Sequence, residues 1–167
     1  EKNRKIIIID NLQNSKIGTL DVLKAISETN INFFKADIRS REDIFNIFSD
    51  NNISSVIHCA GLKSATESFE RPLDYYDINF NGLLNILLAM KKFDVNNLIF
   101  SSSATVYGNP TYLPIDESHK LQPLNPYGQS KLFAEKLIKD FSNFNRDFNS
   151  VILRYFNPIG SHQSGLI

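Results

Sequence analysis

Tyr127 and Lys131, four positions apart in the run Pro-Tyr-Gly-Gln-Ser-Lys at 126–131, are the residues of this chain best suited to chemistry. On a helix that spacing places both on one face, about one turn apart, with an ammonium beside a phenol. A phenol has an unperturbed pKa of about 10 and is a poor base near neutrality, and a neighbouring cation favours its ionised form. Such a pair can take a proton from a hydroxyl and return it. The same spacing also fits a surface tyrosine with an unrelated lysine, so the surrounding elements must decide.

Those elements alternate along the chain. Residues 5–9 form an apolar, β-branched run of strand length, of the kind buried on both faces of a parallel sheet. Residues 31–36, 55–61, 98–100 and 150–154 read as four further strands. Between them lie helical spacings: Leu20, Leu23 and Ile26; then Ile44, Ile47 and Phe48 after a capping-box-like start at Ser40 and Asp43. A long helix over 73–93 follows, with Tyr76, Phe80, Leu83, Leu84, Leu87 and Leu88 as its stripe. Leu137, Ile138 and Phe141 back the Tyr127 helix. Alternating strands and helices predict a parallel α/β sheet with helices on both faces. Residues 104–126 carry Pro110, Pro114, Pro123 and Pro126 and read as a long functional loop.

Further candidates fall at strand ends. Asp10 can accept hydrogen bonds from the two hydroxyls of an adenosine ribose, or can cap a turn. Asp37 closes the second strand. The third ends in Cys59-Ala60-Gly61, small residues that let backbone approach a ligand closely. His58 reads as a packed strand residue rather than a catalyst. Asn79 sits among apolar residues and must find buried partners, such as a backbone carbonyl near a neighbouring strand end. Ser101-Ser102-Ser103 leave the fourth strand and Asn157 follows the fifth. In an open parallel sheet these ends share one rim, where ligands bind.

The 167 residues suit one domain or a large piece of one, and 42% hydrophobic residues suffice for a core. Eighteen basic residues balance eighteen acidic ones, so nothing draws the chain toward nucleic acid or a membrane surface. Cys59 is the single cysteine, which excludes an internal disulfide and fits a cytoplasmic setting. No apolar run reaches the roughly 18 residues of a membrane span. The basic start at 1–5 leads into only four isoleucines, too few for a secretory signal. Asn52-Ile53-Ser54 is a glycosylation sequon in form only. No metal-ligand pattern is present.

Four stretches together resemble the UDP-glucose 4-epimerases, a family of the extended short-chain dehydrogenase/reductases: residues 58–68, 100–108, 126–131 and 153–160. The resemblance implies a Rossmann-like, doubly wound fold that binds NAD and interconverts UDP-glucose and UDP-galactose through a 4-keto sugar. It implies Tyr127 as base, Lys131 as its partner and Ser103 as the hydroxyl bonded to the reacting oxygen. Asp10 and Asn11 match the adenosine-ribose contact, with Leu12, Gln13, Asn14 and Ser15 along it. Asp37 and Ile38 match the adenine contact, and Cys59, Ala60, Gly61, Leu62 and Lys63 lie beside the ribose and phosphates. Asn79 matches an asparagine that orders the site, although a one-residue shift would put Ile78 there. Phe156 matches a neighbour of the nicotinamide. Lys63, Ser103, Thr105, Tyr127 and Asn157 match substrate contacts. The family often pairs through two long helices, so a homodimer of the full-length protein is expected.

The departures are specific. The family's opening strand and its Gly-x-x-Gly-x-x-Gly turn have no counterpart here, nor does its C-terminal uridine-gripping domain. Residues 1–167 therefore read as a partial NAD-binding Rossmann-like domain whose sheet has an unfilled slot, expected to bind NAD poorly and to be inactive alone. Two alternatives remain. One is a nucleotide-sugar 4,6-dehydratase or decarboxylase, although Ser103-Ala104-Thr105 lacks the carboxylates a dehydratase needs. The other is an inactive binding module of the same fold.

Overall fold

The computed structural model describes residues 5–27 and 31–166. The basic start of the chain, at 1–4, lies outside them. Strands β1 (Ile6–Asp10), β2 (Ile31–Lys35), β3 (Val56–His58), β4 (Asn97–Ser103) and β5 (Asn149–Tyr155) form where the apolar runs predict them. Helices α1 (Thr19–Ser27), α2 (Arg41–Asp50), α3 (Ala65–Glu70), α4 (Pro72–Tyr76), α5 (Gly82–Lys92) and α6 (Pro126–Phe144) separate them. All pairings are parallel, in two sheets ordered β1-β2 and β3-β4-β5. The fold is a Rossmann-like parallel α/β arrangement, and every strand points its C-terminal end at one rim.

The core lies on one side of the three-stranded sheet. Leu98 and Phe100 of β4 meet Leu83, Ile86, Leu87 and Met90 of α5, Ile44 and Phe48 of α2, and Ala134 and Ile138 of α6. Fully burying one such aliphatic side chain contributes about 1.5–3 kcal/mol, so this layer anchors α5 and α6. Ser40 caps α2 through its Oγ, which accepts from the Asp43 N–H at 3.4 Å, as the sequence predicts.

Three expectations about burial are corrected. β1 is half-buried rather than covered on both faces, because among the described residues it pairs with β2 alone. The α1 stripe of Leu20, Leu23 and Ile26 faces inward but is only half-buried. The helix expected over 73–93 is interrupted by a π turn at Asp77–Asn81. A π turn adds a residue to the helical cycle, so Leu83 and Leu87 face the core while Tyr76, Phe80, Leu84 and Leu88 are half-buried on its flank. The opposite face of the three-stranded sheet carries exposed Ile57, Ile99, Val151 and Leu153.

Candidate active site

α6 begins at a proline with fixed φ, and Asn125 caps it through Oδ1, which accepts from the Gly128 N–H at 2.8 Å. A Cβ at Gly128 would stand 2.9 Å from the Thr105 carbonyl oxygen, so only glycine lets this first turn abut the segment that follows β4. Tyr127, Ser130, Lys131, Ala134, Glu135 and Ile138 make up the buried side of the helix. The Tyr127 ring meets the Tyr75 ring edge-on at 6.2 Å, and Tyr75 is itself held by its hydroxyl, which donates to the Ser64 carbonyl at 2.7 Å.

Lys131 is buried, and its Nζ donates to the Ser101 carbonyl at 2.9 Å and lies 5.0 Å above the Phe100 ring. Burial lowers its pKa to about 8, with the nearby Cys59 opposing that shift. His58 stacks on the same Phe100 ring at 5.8 Å, and burial with the Lys131 charge lowers its pKa to about 3. That neutral, packed imidazole matches the expected strand residue.

Ser103 is the last residue of β4. Its Oγ lies 2.6 Å from Thr105 Oγ1 and accepts from the Thr105 N–H at 3.2 Å, closing a 3-10 turn over Ala104–Tyr107. Asn79 is buried and bonded on both sides, and its neighbour Ile78 lines the cleft described below. Asn79 Oδ1 accepts from the Leu62 N–H at 2.8 Å, and its Nδ2 donates to the Leu62 carbonyl and to Ser130 Oγ, each at 3.0 Å. Ser130 Oγ in turn donates to the Tyr127 carbonyl at 2.7 Å. One buried amide thus joins the turn after β3 to the helix of Tyr127 and Lys131.

On the other half of the rim, Asp10 Oδ1 accepts from the Leu12 N–H at 2.6 Å and the Ser15 hydroxyl at 2.8 Å. Asn11 Nδ2 donates to Asp37 Oδ2 at 2.9 Å. Arg39 grips Asp37 with two nitrogens, Nε at 3.0 Å and a terminal nitrogen at 2.8 Å, which holds that carboxyl well below the usual carboxylate range. Asp10, Asn11, Gln13, Asn14, Asp37, Ile38, Ala60, Gly61 and Leu62 line one open cleft.

The structure thus places one set of the expected residues around this cleft, and Tyr127 and Lys131 on the buried face of α6, with Lys131 bonded to the strand that ends at Ser103 and Asn79 bonded to α6 through Ser130. Leu12 and Ser15 shape the first loop without lining the cleft. Lys63 and Cys59 are exposed, and Phe156 and Asn157 leave β5 exposed, with the Phe156 ring 6.3 Å from Tyr107. Sequence reasoning missed Ser130, Tyr75, and a buried network of Ser102, Glu135, Arg154 and Tyr107. An acid one turn beyond Lys131 on the Tyr127 face, and an arginine in an otherwise apolar strand, were the available signals.

The class defined here is a parallel α/β domain with an acid-lined cleft at one end of its rim and a Ser/Tyr/Lys corner at the other. The chain belongs to the NAD dependent epimerase/dehydratase family, whose model matches residues 1–166. It is 45% identical to the UDP-glucose 4-epimerase of Pasteurella multocida over 166 residues, covering 99% of this chain and 49% of that protein. It is 43% identical to the Bacillus subtilis UDP-glucose 4-epimerase, covering 98% and 48%. The crystal structure of UDP-glucose 4-epimerase from Bifidobacterium longum in complex with NAD+ and UDP superposes with a TM-score of 0.96 at 42% identity, covering 99% of this chain and 50% of that one. The chain spans about half the length of the relatives it matches. No helix among the described residues is long and apolar enough to cross a membrane.

Proposed function

We propose that this chain supplies the NAD-binding rim and the proton-transfer residues of a nucleotide-sugar 4-epimerase, acting between UDP-glucose and UDP-galactose. The observation that carries this reading is the corner itself: Tyr127 and Lys131 on the buried face of α6, with Lys131 bonded to the strand that ends at Ser103. The residues present fit NAD at its adenosine end. Among the described residues both side-chain bonds of Asp10 fall on Oδ1, which leaves Oδ2 to a ribose diol, while Asp37 and Ile38 line the same cleft for the adenine. Gly61, with φ +152° and Asn79 Oδ1 against the site of a would-be Cβ, brings bare backbone to the cleft.

When bound, NAD supplies a reversible two-electron acceptor for the sugar carbinol. Tyr127 takes the proton of the 4-hydroxyl and returns it after the ring has turned. Lys131 stays bonded to the Ser101 carbonyl on the buried face of α6 that it shares with Tyr127. Ser103 donates to the reacting oxygen, its hydroxyl oriented by Thr105. Cys59 and Lys63 would lie beside the cofactor's ribose and phosphates, Phe156 near the nicotinamide, and Asn157 would reach the nucleotide sugar. General-base assistance of this kind is typically worth about 100- to 10,000-fold.

Polypeptide expressed from the complete reading frame, incubated with NAD and UDP-galactose, should yield UDP-glucose by NMR. A 4-keto-6-deoxy product would place it among the dehydratases instead. Tyr127→Phe should lose most of the rate while retaining UDP-sugar binding, and a near-normal rate would remove Tyr127 from its role. The 167-residue chain, lacking a glycine-rich phosphate turn, should bind NAD poorly by calorimetry. Exposed Leu73 and Phe133, with Tyr76 packed 6.0 Å from Phe133, support pairing of two copies through α4 and α6, testable by light scattering.

A further inference from the structure

Glu135 is fully buried on α6, one helical turn beyond Lys131. An acid and a lysine at that spacing pair with each other when nothing else engages them. Here they do not. Lys131 Nζ is bonded to the Ser101 carbonyl, whereas the Glu135 carboxylate has three other donors. Arg154 Nε donates to Oε1 at 3.0 Å, a terminal nitrogen of Arg154 donates to Oε2 at 2.8 Å, and Ser102 Oγ donates to Oε1 at 2.6 Å. Ser102 and Arg154 are register partners across β4 and β5, so the carboxylate is clamped over the seam between the two strands. The remaining terminal nitrogen of Arg154 donates to the Tyr107 hydroxyl at 3.0 Å, and the guanidinium lies 4.9 Å from the Tyr107 ring centre. Tyr107 ends the 3-10 turn that holds Thr105 against Ser103.

We infer that Arg154 is a positioning residue for proton transfer: it holds the Glu135 carboxylate away from Lys131, which leaves that ammonium free to act on Tyr127. The inference rests on the reaction proposed above. Stability alone does not account for the arrangement, because well-packed apolar side chains often hold a buried contact as well as an ion pair does. A bidentate guanidinium adds a fixed direction, and it holds the Glu135 carboxylate on Ser102 and Arg154 at the β4–β5 seam rather than on Lys131. Lys139, four residues to the other side of Glu135, is exposed to solvent; without Arg154, the buried cation nearest along the helix is Lys131. The pair that results would tie up the lysine and raise its pKa. His58 and Cys59 also face Lys131, and both are unchanged by substitution at 154.

The test uses polypeptide from the complete reading frame and three variants: Arg154→Met, Arg154→Lys and the double variant Glu135→Gln/Arg154→Met. Lysine side-chain NMR follows Lys131, identified by its loss in Lys131→Arg, and steady-state kinetics separates kcat from KM. In the parent protein the Lys131 midpoint should lie near 8. Arg154→Met should raise it by a unit or more and lower kcat about 10- to 100-fold, with KM for the UDP-sugar changed by less than about threefold. Removing the carboxylate as well should return the midpoint toward its parent value and restore part of kcat, which a merely structural role does not predict. Arg154→Lys keeps the charge without the fork and should fall between. It decides the matter if Arg154→Met does not fold. A Lys131 midpoint unmoved in the folded single variants, or a double variant that restores neither quantity, overturns the inference. Should the parent protein turn over no UDP-hexose, the proposed function fails, and the Lys131 midpoints alone decide this one.

Discussion

Replacing His58 by phenylalanine should stabilise the protein, and by more in acid than at neutrality. His58 is buried, and its Nε2 is the one buried side-chain nitrogen or oxygen among the described residues without a hydrogen-bond partner. Leaving such a group unpaired costs about 1–3 kcal/mol, and phenylalanine removes it while keeping a ring against Phe100. The pH dependence follows from linkage. The folded imidazole has a pKa of about 3 against 6.5 when free, so between these values the unfolded chain binds the proton and the folded one does not. This penalty is nearly absent at pH 7 and grows as pH falls through 6.5 toward 3. Two-state linkage with those two values gives a loss of about 2 kcal/mol between pH 7 and pH 5. His58→Phe should lack that loss. Overpacking by the larger ring would lower both of its stabilities alike and leave the difference intact. The sequence has no tryptophan, so urea denaturation followed by circular dichroism at both pH values is the measurement. If parent and variant lose the same stability between pH 7 and pH 5, the imidazole is not held neutral by burial, and the reasoning fails.

Three other substitutions probe the rim. Gly61→Ala would set a Cβ 2.6 Å from Asn79 Oδ1 at φ +152°, and should cost about 1–3 kcal/mol in urea denaturation through strain that alanine cannot relieve. Asn79→Ala strands the buried Leu62 N–H and should cost about 1–3 kcal/mol in the same assay, with slower turnover in polypeptide from the complete reading frame. Arg39→Ala removes both guanidinium bonds to Asp37, so carboxyl-detected NMR should show the Asp37 midpoint rising toward the ordinary value of about 3.9.

What could be read in the sequence was local. Tyr127 and Lys131 are related by one helical turn, and Asp10 by its place at the end of an apolar run, so both were legible from spacing alone. Strand positions came from β-branched runs and shifted by at most three residues at either end. Helix 73–93 was legible as a helix but not in its phase, because the π turn at Asp77–Asn81 inserts a residue that periodicity cannot announce. The Glu135–Arg154 pair spans 19 residues and two elements. Nothing in either neighbourhood marks the partner, and only the register of β4 against β5 brings Ser102 and Arg154 under the carboxylate.

The two halves of the rim must keep a fixed separation if one cofactor is to reach both, and no strand ladder joins them, since among the described residues β1 and β3 belong to separate sheets. The tie runs through the helical stretch from Pro72 to Lys92 instead. Asn85 Nδ2 donates to the Ile38 and Arg39 carbonyls at 3.0 Å each, and its Oδ1 accepts from Arg41 Nε at 3.2 Å. Gly82 leaves room for the Ile38 side chain to press against the helix, where a Cβ would collide with it. Arg39 reaches Asp77 at 3.2 Å while it holds Asp37. These contacts fasten the end of β2. Six residues before Asn85, Asn79 fastens the turn after β3 and, through Ser130, the helix of Tyr127. A single helical stretch carrying both sets of contacts can fix the distance between the Asp10–Asp37 cleft and the Tyr127 helix without a shared sheet. The π turn gives that arrangement a physical purpose. It offsets the helix by one residue between Asp77 and Gly82, so that Asn79 faces the Tyr127 helix while Asn85 faces the β2 end.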